Sequence, residues 1–288
     1  MGPGSSCGSA GGVETANTII VDLPRTTYFT GDVVTGAVIL ETTREVSTRG
    51  LTLDILGRES TEITQGSGEN QTTYRSRSDH VAWRLPLAVE GSIPAGSYRF
   101  PFQFQVPNDA LPSYAGTHAK VEYSIAARLD VPWWPDAVHM VPFYVVFARE
   151  SIRTFSRPVR FRSGGGGPEI YVELDGDRFF ARELLGCRIT ILRTGERRIR
   201  RLYAQIVGGE WARADKVEES KTRVVSDIDI PIGMIGIGRP FTFELPISAE
   251  LPSSYRGRFS YYSYVLRLGL DIAWASDIVA ETPIVIVR

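Results

Sequence analysis

Apolar and polar residues alternate along several stretches of this 288-residue chain. From 121 to 131 the odd positions hold Val, Tyr, Ile, Ala, Leu and Val, whereas the even positions are mostly polar. A period of two places one side of a β-strand against a core and the other side in water. The same period recurs at 51–55 and 262–272. The pattern therefore predicts β-strands in both halves of the chain.

Short segments rich in glycine, proline, aspartate and asparagine separate the predicted strands. Examples are TGD, EGSIPAGS, VPNDALPS, LDGD and RTGE. Many short strands with such turns are typical of antiparallel sandwiches. No convincing amphipathic helix is present, because the best candidate, FFARELLG, is too short. The expected fold class is all-β.

The second half of the chain repeats the first. FPFQFQVPNDALPSYAG at 100–116 resembles FTFELPISAELPSSYRG at 241–257, and YFTGDVVTGAVIL and GLTLDILG have fainter counterparts in FFARELLGCRITI and RLYAQIVG. The identical pairs include Tyr114 and Tyr255, Gly116 and Gly257, Tyr123 and Tyr264, Trp133 and Trp274, and Asp136 and Asp277. Internal repeats of this kind decide the architecture. The prediction is a tandem pair of antiparallel, immunoglobulin-like β-sandwiches.

The expected domain boundaries follow from the repeat and from two glycine-rich stretches. Residues 1–16 have neither the basic start nor the apolar core of a signal peptide, and are expected to be a disordered leader. We expect the first sandwich at 17–157, a flexible linker at 158–167 that contains GGGG, and the second sandwich at 168–288.

The composition excludes several classes of protein. The net charge of −1 gives no reason to expect nucleic acid as a partner, and no apolar run is long enough for a transmembrane helix. The two cysteines, Cys7 and Cys187, form no disulfide framework. Cys187 alternates in phase with Ile189 and Ile191, so it is expected in a core. A reducing, cytoplasmic compartment is the resulting expectation.

The chain resembles the arrestin superfamily, the α-arrestins in particular. The motifs that carry the resemblance are YFTGDVVTGAVIL, RGLTLDILGRE, the segment from PAGSYRFPFQFQVP to LPSY, and a tyrosine-containing strand that ends in PW. Their order and spacing together are specific. The Pro-Pro-x-Tyr motif of many α-arrestins is absent from this sequence. Asp32, in the GD turn, is expected to be a turn residue rather than part of a phosphate sensor.

The resemblance implies a non-enzymatic adaptor for protein transport and endocytosis. Its partners would be cytosolic segments of membrane proteins or other trafficking proteins. The alternative is a structural coat or scaffold subunit, similar to the arrestin-fold subunit of retromer. Fold-level resemblance supports both readings.

No motif in the sequence indicates catalysis, a cofactor or a metal. The three histidines, His80, His118 and His139, form no spaced ligand pair, and two cysteines cannot make a zinc site. His80 and His118 are expected at the surface. The sequence therefore predicts a protein that is not an enzyme, with neither cofactor nor metal.

Two polar stretches are candidates for partner binding. One is the hairpin at 64–78, since loops on rigid scaffolds often carry recognition; the other is an arginine cluster at 193–201 that suits an acidic peptide or an anionic lipid. The alternatives are a solvated hairpin and a charged sheet edge. The candidate residues are Tyr74, Arg75 and Arg77 in the hairpin, and Arg193, Arg197, Arg198, Arg200 and Arg201 in the cluster.

Overall fold

The computed structural model describes residues 17–148, 156–163, 168–194, 198–230, 233 and 236–288. These residues are mostly β-strand, with a short 3-10 turn at Gly68–Asn70. Nowhere in these ranges is a helix long and apolar enough to cross a membrane. The leader at 1–16, with Cys7, and the glycines at 164–167 lie outside the described residues.

The first sandwich pairs a three-stranded sheet with a six-stranded one. Its strands are β1 (Asn17–Asp22), β2 (Thr27–Phe29), β3 (Val33–Thr42), β4 (Val46–Thr48), β5 (Gly50–Gln65), β6 (Thr72–Ala88), β7 (Gly91–Ile93), β8 (Gly96–Gln105), β9 (Tyr114–Ala115), β10 (Ala119–Asp130) and β11 (Ala137–Val146). One sheet has the order β1-β3-β8 and the other the order β2-β11-β10-β5-β6. Strand β9 pairs with β10, and β4 pairs with β7.

The second sandwich repeats this plan. Its strands are β12 (Val159–Arg162), β13 (Glu169–Leu174), β14 (Arg178–Phe180), β15 (Leu184–Arg193), β16 (Ile199–Ala214), β17 (Val217–Ile230), β18 (Pro240–Pro246), β19 (Tyr255–Arg256), β20 (Ser260–Ile272) and β21 (Ile278–Val287). The orders are β12-β13-β15-β18 and β14-β21-β20-β16-β17. The pairs β2–β11 and β14–β21 are parallel, and the other described ladders are antiparallel. The predicted all-β fold of two sandwiches is confirmed.

The linker expected at 158–167 is corrected by the strand pairing. Strand β12 pairs with β13 inside the second sandwich, from Val159 opposite Leu174 to Arg162 opposite Tyr171. Residues 159–162 therefore belong to a strand of the second sandwich and not to a linker. The connection between the sandwiches lies instead between β11 and β12. The other domain boundaries stay predictions.

The buried residues of the two sandwiches form one continuous apolar cluster. Tyr114 of the first sandwich lies with its ring centroid 4.8 Å from that of Tyr255 and 5.5 Å from that of Tyr262, both in the second. Three aromatic rings thus bridge the interface. Because large aromatic side chains dominate packing energy, the two sandwiches share part of their core.

The GD turn has the local role that the sequence predicts. The carboxylate of Asp32 accepts a hydrogen bond from the Phe29 N–H at 3.0 Å and pairs with Arg25 at 2.7 Å. In the second sandwich the Glu183 carboxylate accepts from the Phe180 N–H at 3.3 Å. The same turn is therefore closed in both copies by an acidic side chain that accepts from the N–H three residues before it.

Cys187 lies in the core of the second sandwich, as its alternation predicts. Burial raises the pKa of its thiol to about 12. A thiol with such a pKa stays protonated at neutral pH and is a poor nucleophile. Cys187 therefore contributes packing and not chemistry.

His80 is half-buried, which corrects the expectation of a surface histidine. Its Nε2 lies 2.8 Å from the Tyr123 hydroxyl, and that hydroxyl donates to the Leu111 carbonyl at 2.5 Å. Since the tyrosine has only one proton, Nε2 of His80 must carry the proton that it shares with Tyr123. A neutral imidazole with its proton on Nε2 satisfies this hydrogen bond.

Lowering the pH is expected to destabilise the protein through His80. Burial lowers the pKa of His80 below its ordinary value of 6.5, although Glu59, Asp79 and Asp109 act in the opposite direction. Between the folded pKa and 6.5 the unfolded chain binds more protons, so the free energy of unfolding falls as pH falls through this window. The slope cannot exceed about 1.4 kcal/mol per pH unit.

The measurement is urea unfolding at pH 7.5 and 5.5 for the wild type and for His80→Gln, whose amide can still donate to Tyr123. The wild type should lose more stability than the variant between the two pH values. An equal loss in the two proteins would exclude His80 as the responsible group.

Candidate partner-binding surfaces at and beside the domain interface

Two glutamates occupy inward positions on long strands, one in each sandwich. Glu59 on β5 and Glu210 on β16 are both almost fully buried, with 1% and 5% of their surface exposed. Each follows a glycine by two positions, Gly57 and Gly208, so the pair belongs to the repeat. A buried carboxylate is costly unless hydrogen bonds stabilise it. Both find their donors in the opposite sandwich.

Glu210 binds the crossover loop of the first sandwich. Its carboxylate accepts hydrogen bonds from the Thr117 N–H at 3.0 Å, the His118 N–H at 2.8 Å and the Tyr114 hydroxyl at 2.5 Å. Hydrogen bonds to an ionised acceptor are stronger than neutral ones. The carboxylate and Tyr114 lie so close to Gly116 that a side chain at this position would collide with both.

Glu59 binds the equivalent loop of the second sandwich. It accepts from the Arg258 N–H at 2.9 Å, the Phe259 N–H at 3.0 Å and the Ser260 hydroxyl at 2.7 Å. A side chain at Gly257 would collide with this carboxylate, as at Gly116. The two contacts are reciprocal, because each glutamate binds the equivalent loop of the opposite sandwich, as residues do in an isologous interface. We name Glu59 and Glu210, with the loops that they bind, the carboxylate clamps.

The two crossover tyrosines are buried, but their hydroxyls reach side chains and not the backbone partners that burial usually provides. Tyr114 donates to Glu210, and Tyr255 donates to the Ser260 hydroxyl at 2.8 Å, because Ser260 uses its own proton on Glu59. The tyrosines with backbone partners are Tyr123 and its counterpart Tyr264, whose hydroxyl donates to the Pro252 carbonyl at 2.7 Å.

The hairpin at 64–78 consists mainly of strand and lies against the second sandwich. Ser76 accepts a hydrogen bond from the Asp215 N–H at 2.8 Å, and the Thr61 hydroxyl donates to the Arg213 carbonyl at 2.7 Å. Tyr74 is half-buried against the core. Since Arg75 and Arg77 alternate with Tyr74, they project from the opposite, exposed face.

Arg75 and Arg77 line a groove of about 590 Å³ on the outer face of the first sandwich. Arg58, Lys120 and the loop residues 116–119 also line it. The loop is the one that Glu210 binds, so a residue of the second sandwich holds one wall of a groove in the first. This groove, lined by residues of β5, β6, β10 and the loop, is named the hairpin groove.

The arginine cluster lies at the opposite end of β16, at the far tip of the second sandwich. Arg193 pairs with Glu169 at 3.3 Å, Arg200 with Asp271 at 2.7 Å and Arg201 with Asp229 at 3.3 Å. Acidic partners thus compensate much of the positive charge that the sequence suggests. Arg197 lies outside the described residues.

Arg198 is exposed beside a fully exposed tryptophan. Its carbonyl accepts from the Ala273 N–H at 3.0 Å, which places it next to Trp274. Trp274 and its counterpart Trp133 both have positive φ, at 61° and 65°. This backbone conformation is uncommon for a bulky residue. The tip therefore combines an arginine and an indole.

The hairpin and the arginine cluster are not brought together. The hairpin contacts Asp215, which follows the last residue of β16, and Arg200 and Arg201 lie near its first. At about 3.3 Å per residue the two regions are on the order of 45 Å apart. A single small anion therefore cannot contact both of them.

The sequence reasoning missed the buried glutamates and two residues of the hairpin groove, Ser60 and Lys120. A signal for the glutamates exists, because Glu59 and Glu210 occupy positions in phase with apolar residues in both copies of the repeat. In the described ranges, no three His, Cys, Asp or Glu side chains lie close enough to hold a metal ion.

Comparison with known proteins identifies the first sandwich. Residues 17–149 match the family model of the arrestin (or S-antigen) N-terminal domain. Arrestin domain-containing protein 4 of Mus musculus is 29% identical over 148 residues, and that of Homo sapiens 30% over 152 residues. Arrestin domain-containing protein 1 of Mus musculus is 31% identical over 110 residues, which is 38% of this chain and 24% of that protein.

The two matches to arrestin domain-containing protein 4 each cover 47% of this chain and only 36% and 35% of the relatives' own lengths. Residues 17–149, which span the first sandwich, match the arrestin N-terminal domain, and the predicted resemblance to the arrestin superfamily, the α-arrestins in particular, is confirmed.

Proposed function

We propose that this protein is a non-enzymatic adaptor that binds cytosolic segments of membrane proteins and works at the cytoplasmic side of membranes. The observation that carries the proposal is the match of residues 17–149 to the arrestin N-terminal domain. The hairpin groove supports it, because it is an exposed, basic depression on a rigid sheet and needs no catalytic group.

The expected binding is weak and sensitive to salt. The net charge of the chain is −1, so attraction must come from a local patch and not from the overall field. Exposed ion pairs contribute about 0–1 kcal/mol each, so a few of them give dissociation constants in the micromolar to millimolar range. Salt weakens such contacts because it screens exposed charges.

The tip of the second sandwich would add a contact with anionic lipid. Arg198 and the exposed Trp274 support this role, since tryptophan favours the membrane–water interface. Arg200 and Arg201 already have acidic partners, so their contribution to lipid binding would be small. The resulting location would be cytoplasmic and peripheral at membranes.

A binding survey with the full chain tests the adaptor role. The immobilised protein is exposed to cytosolic segments of a panel of membrane proteins at low and at physiological salt. An adaptor should bind several segments weakly and lose affinity as salt increases. A variant with Arg197, Arg198 and Arg200 changed to Ser reports on the tip: it should bind peptides normally and vesicles with phosphatidylserine less well.

The opposing outcome is a stable complex. If the protein ignores all the segments and elutes from native cells in a single stoichiometric assembly, it is a coat or scaffold subunit and the adaptor proposal is wrong.

A further inference from the structure

The exposed side chains of the hairpin groove lie in rows across three adjacent strands. The register of β6, β5 and β10 places Asp79 opposite Arg58, and Arg58 opposite Glu122. Asp79 binds Arg58 through two hydrogen bonds of 2.6 and 3.0 Å, and this contact lowers the pKa of Asp79. In this row, Arg58 is compensated by acidic neighbours on both sides.

The row on the interface side of it has no acidic member. Ser60 lies opposite Arg77 on one side and opposite Lys120 on the other. Residues directly opposite one another project from the same face of a sheet. In the described part of the chain, no carboxylate lies within ion-pair distance, 4.0 Å, of Arg77 or Lys120. Arg77 helps to lower the pKa of Asp79 by its charge but does not form an ion pair with it. The Asp79 carboxylate is hydrogen-bonded to Arg58 instead.

The following row is compensated again. Arg75 donates to the Glu62 carboxylate at 2.7 Å. The middle row thus has two cations without an ion pair in the described residues, on either side of a small hydroxyl. Of its neighbours, the row of Arg75 and Glu62 is neutral, and the row of Asp79, Arg58 and Glu122 has a net charge of −1. Adjacent strands are about 4.8 Å apart, so the backbones of Arg77 and Lys120 are separated by roughly 10 Å.

We propose that Ser60, Arg77 and Lys120 form a carboxylate-binding seat for an acidic segment of a partner protein. This inference rests on the proposed adaptor function and names the ligand chemistry of its groove. Two long basic side chains can converge from opposite sides on one anion above Ser60, while the serine hydroxyl donates to it from below. The seat accepts one carboxylate, and Arg75 is not part of it because it is already paired with Glu62.

A protein segment fits this seat better than a membrane. The groove is a depression bounded by the hairpin and by loop residues 116–119, and no large apolar side chain that could enter a bilayer lines it. Stable membrane attachment by charge requires a larger cluster of basic residues or an inserted apolar side chain. A narrow seat with two cations instead matches an extended peptide with aspartate or glutamate.

The second sandwich holds the seat in place. Lys120 follows a loop whose Thr117 and His118 N–H groups are bound to Glu210. Ala119, between that loop and Lys120, is buried. The position of Lys120 therefore depends on the carboxylate clamp, although Glu210 does not line the groove. We therefore expect a ligand that binds this seat in the first sandwich to need the second sandwich as well.

Titration of the full chain with a labelled oligoglutamate peptide, at low and at physiological salt, tests the seat. Arg77→Ser and Lys120→Ser should each weaken binding about threefold to tenfold, consistent with the loss of one exposed charge contact. Ser60→Asp places a carboxylate of the protein itself in the seat and should weaken binding at least as much as the double variant Arg77→Ser/Lys120→Ser.

The matched controls are Arg84→Ser, on the same strand and paired with Asp54, and Lys216→Ser, an exposed lysine of the second sandwich. Each control changes the net charge as much as Arg77→Ser or Lys120→Ser, and the two controls combined change it as much as the double variant. Single and combined controls should bind oligoglutamate like the wild type. Thermal unfolding of every variant checks that the fold is retained; all these positions are exposed or half-exposed, so the midpoints should agree.

Three outcomes would overturn the seat. The first is equal affinity of the double variant and of the combined control Arg84→Ser/Lys216→Ser, and the second is no binding of oligoglutamate by the wild type at low salt. The third is a double variant that loses binding to phosphatidylserine vesicles without losing peptide binding. The last would assign these residues to a membrane. Failure of the seat leaves the adaptor role to be decided by the survey of membrane-protein segments, because other surfaces could serve it.

Discussion

Alanine in place of Tyr114 or Tyr255 is expected to lower the free energy of unfolding by about 3–5 kcal/mol, the usual cost of removing a buried aromatic ring. Each ring is 6% exposed, and the two rings pack against each other across the domain interface. Either truncation opens a cavity in the part of the core that both sandwiches share. Urea unfolding at neutral pH measures the effect, with Tyr144→Ala, an exposed tyrosine, as the matched control.

Phenylalanine at the same two positions should separate the tyrosines. Tyr114 donates to the Glu210 carboxylate, so Tyr114→Phe is expected to cost about 1.5–3 kcal/mol, as for other hydrogen bonds to a charged group. Tyr255 donates to the neutral Ser260 hydroxyl, so Tyr255→Phe is expected to cost about 1 kcal/mol. Equal costs for the two variants would contradict the assignment of a charged acceptor to Tyr114 and a neutral acceptor to Tyr255.

Removing the Glu59 carboxylate is expected to cost about 2–4 kcal/mol. In Glu59→Ala, the Arg258 N–H, the Phe259 N–H and the Ser260 hydroxyl lose their acceptor in a buried interface, and each unsatisfied group carries a desolvation penalty of about 1–3 kcal/mol. Part of this cost is offset, because the variant no longer has to bury a carboxylate when it folds.

Glu62→Ala is the control for Glu59→Ala. Glu62 lies on the same strand three positions further on, but it is exposed and binds only Arg75 at the surface. Its removal should change the free energy of unfolding by about 0–1 kcal/mol, as for other exposed ion pairs. Hydrogen exchange at residues 257–260 provides a second readout: faster exchange is expected in Glu59→Ala only. Unchanged exchange there would show that Glu59 does not hold this loop.

Local sequence patterns were sufficient for the fold class. Alternation along β10 and β20 predicts strands because a strand buried on one face must alternate, whatever its neighbours are. The repeat predicts two similar sandwiches because residues such as Tyr123 and Tyr264 have the same structural role in each copy. The arrestin-like architecture follows from the order of these motifs.

The positions of charged side chains required the tertiary structure. Arg200 and Arg201 look like free cations in the sequence, but they pair with Asp271 and Asp229, residues tens of positions away. Residues 159–162 look like part of a linker in the sequence, but they form β12, which pairs with β13 inside the second sandwich. Sequence distance carries no information about such contacts, because strand order decides which charges meet.

The sequence by itself determined that this chain forms two β-sandwiches from one duplicated unit, since alternation and turn chemistry are local and each copy contains both. Only the tertiary structure decided how the copies join and where a partner could bind. Glu59 and Glu210 lie in phase with apolar positions, but only the tertiary structure brings each to the backbone N–H groups of the opposite sandwich. Arg77, Ser60 and Lys120 become one row only through strand register, which depends on the pairing of three distant segments.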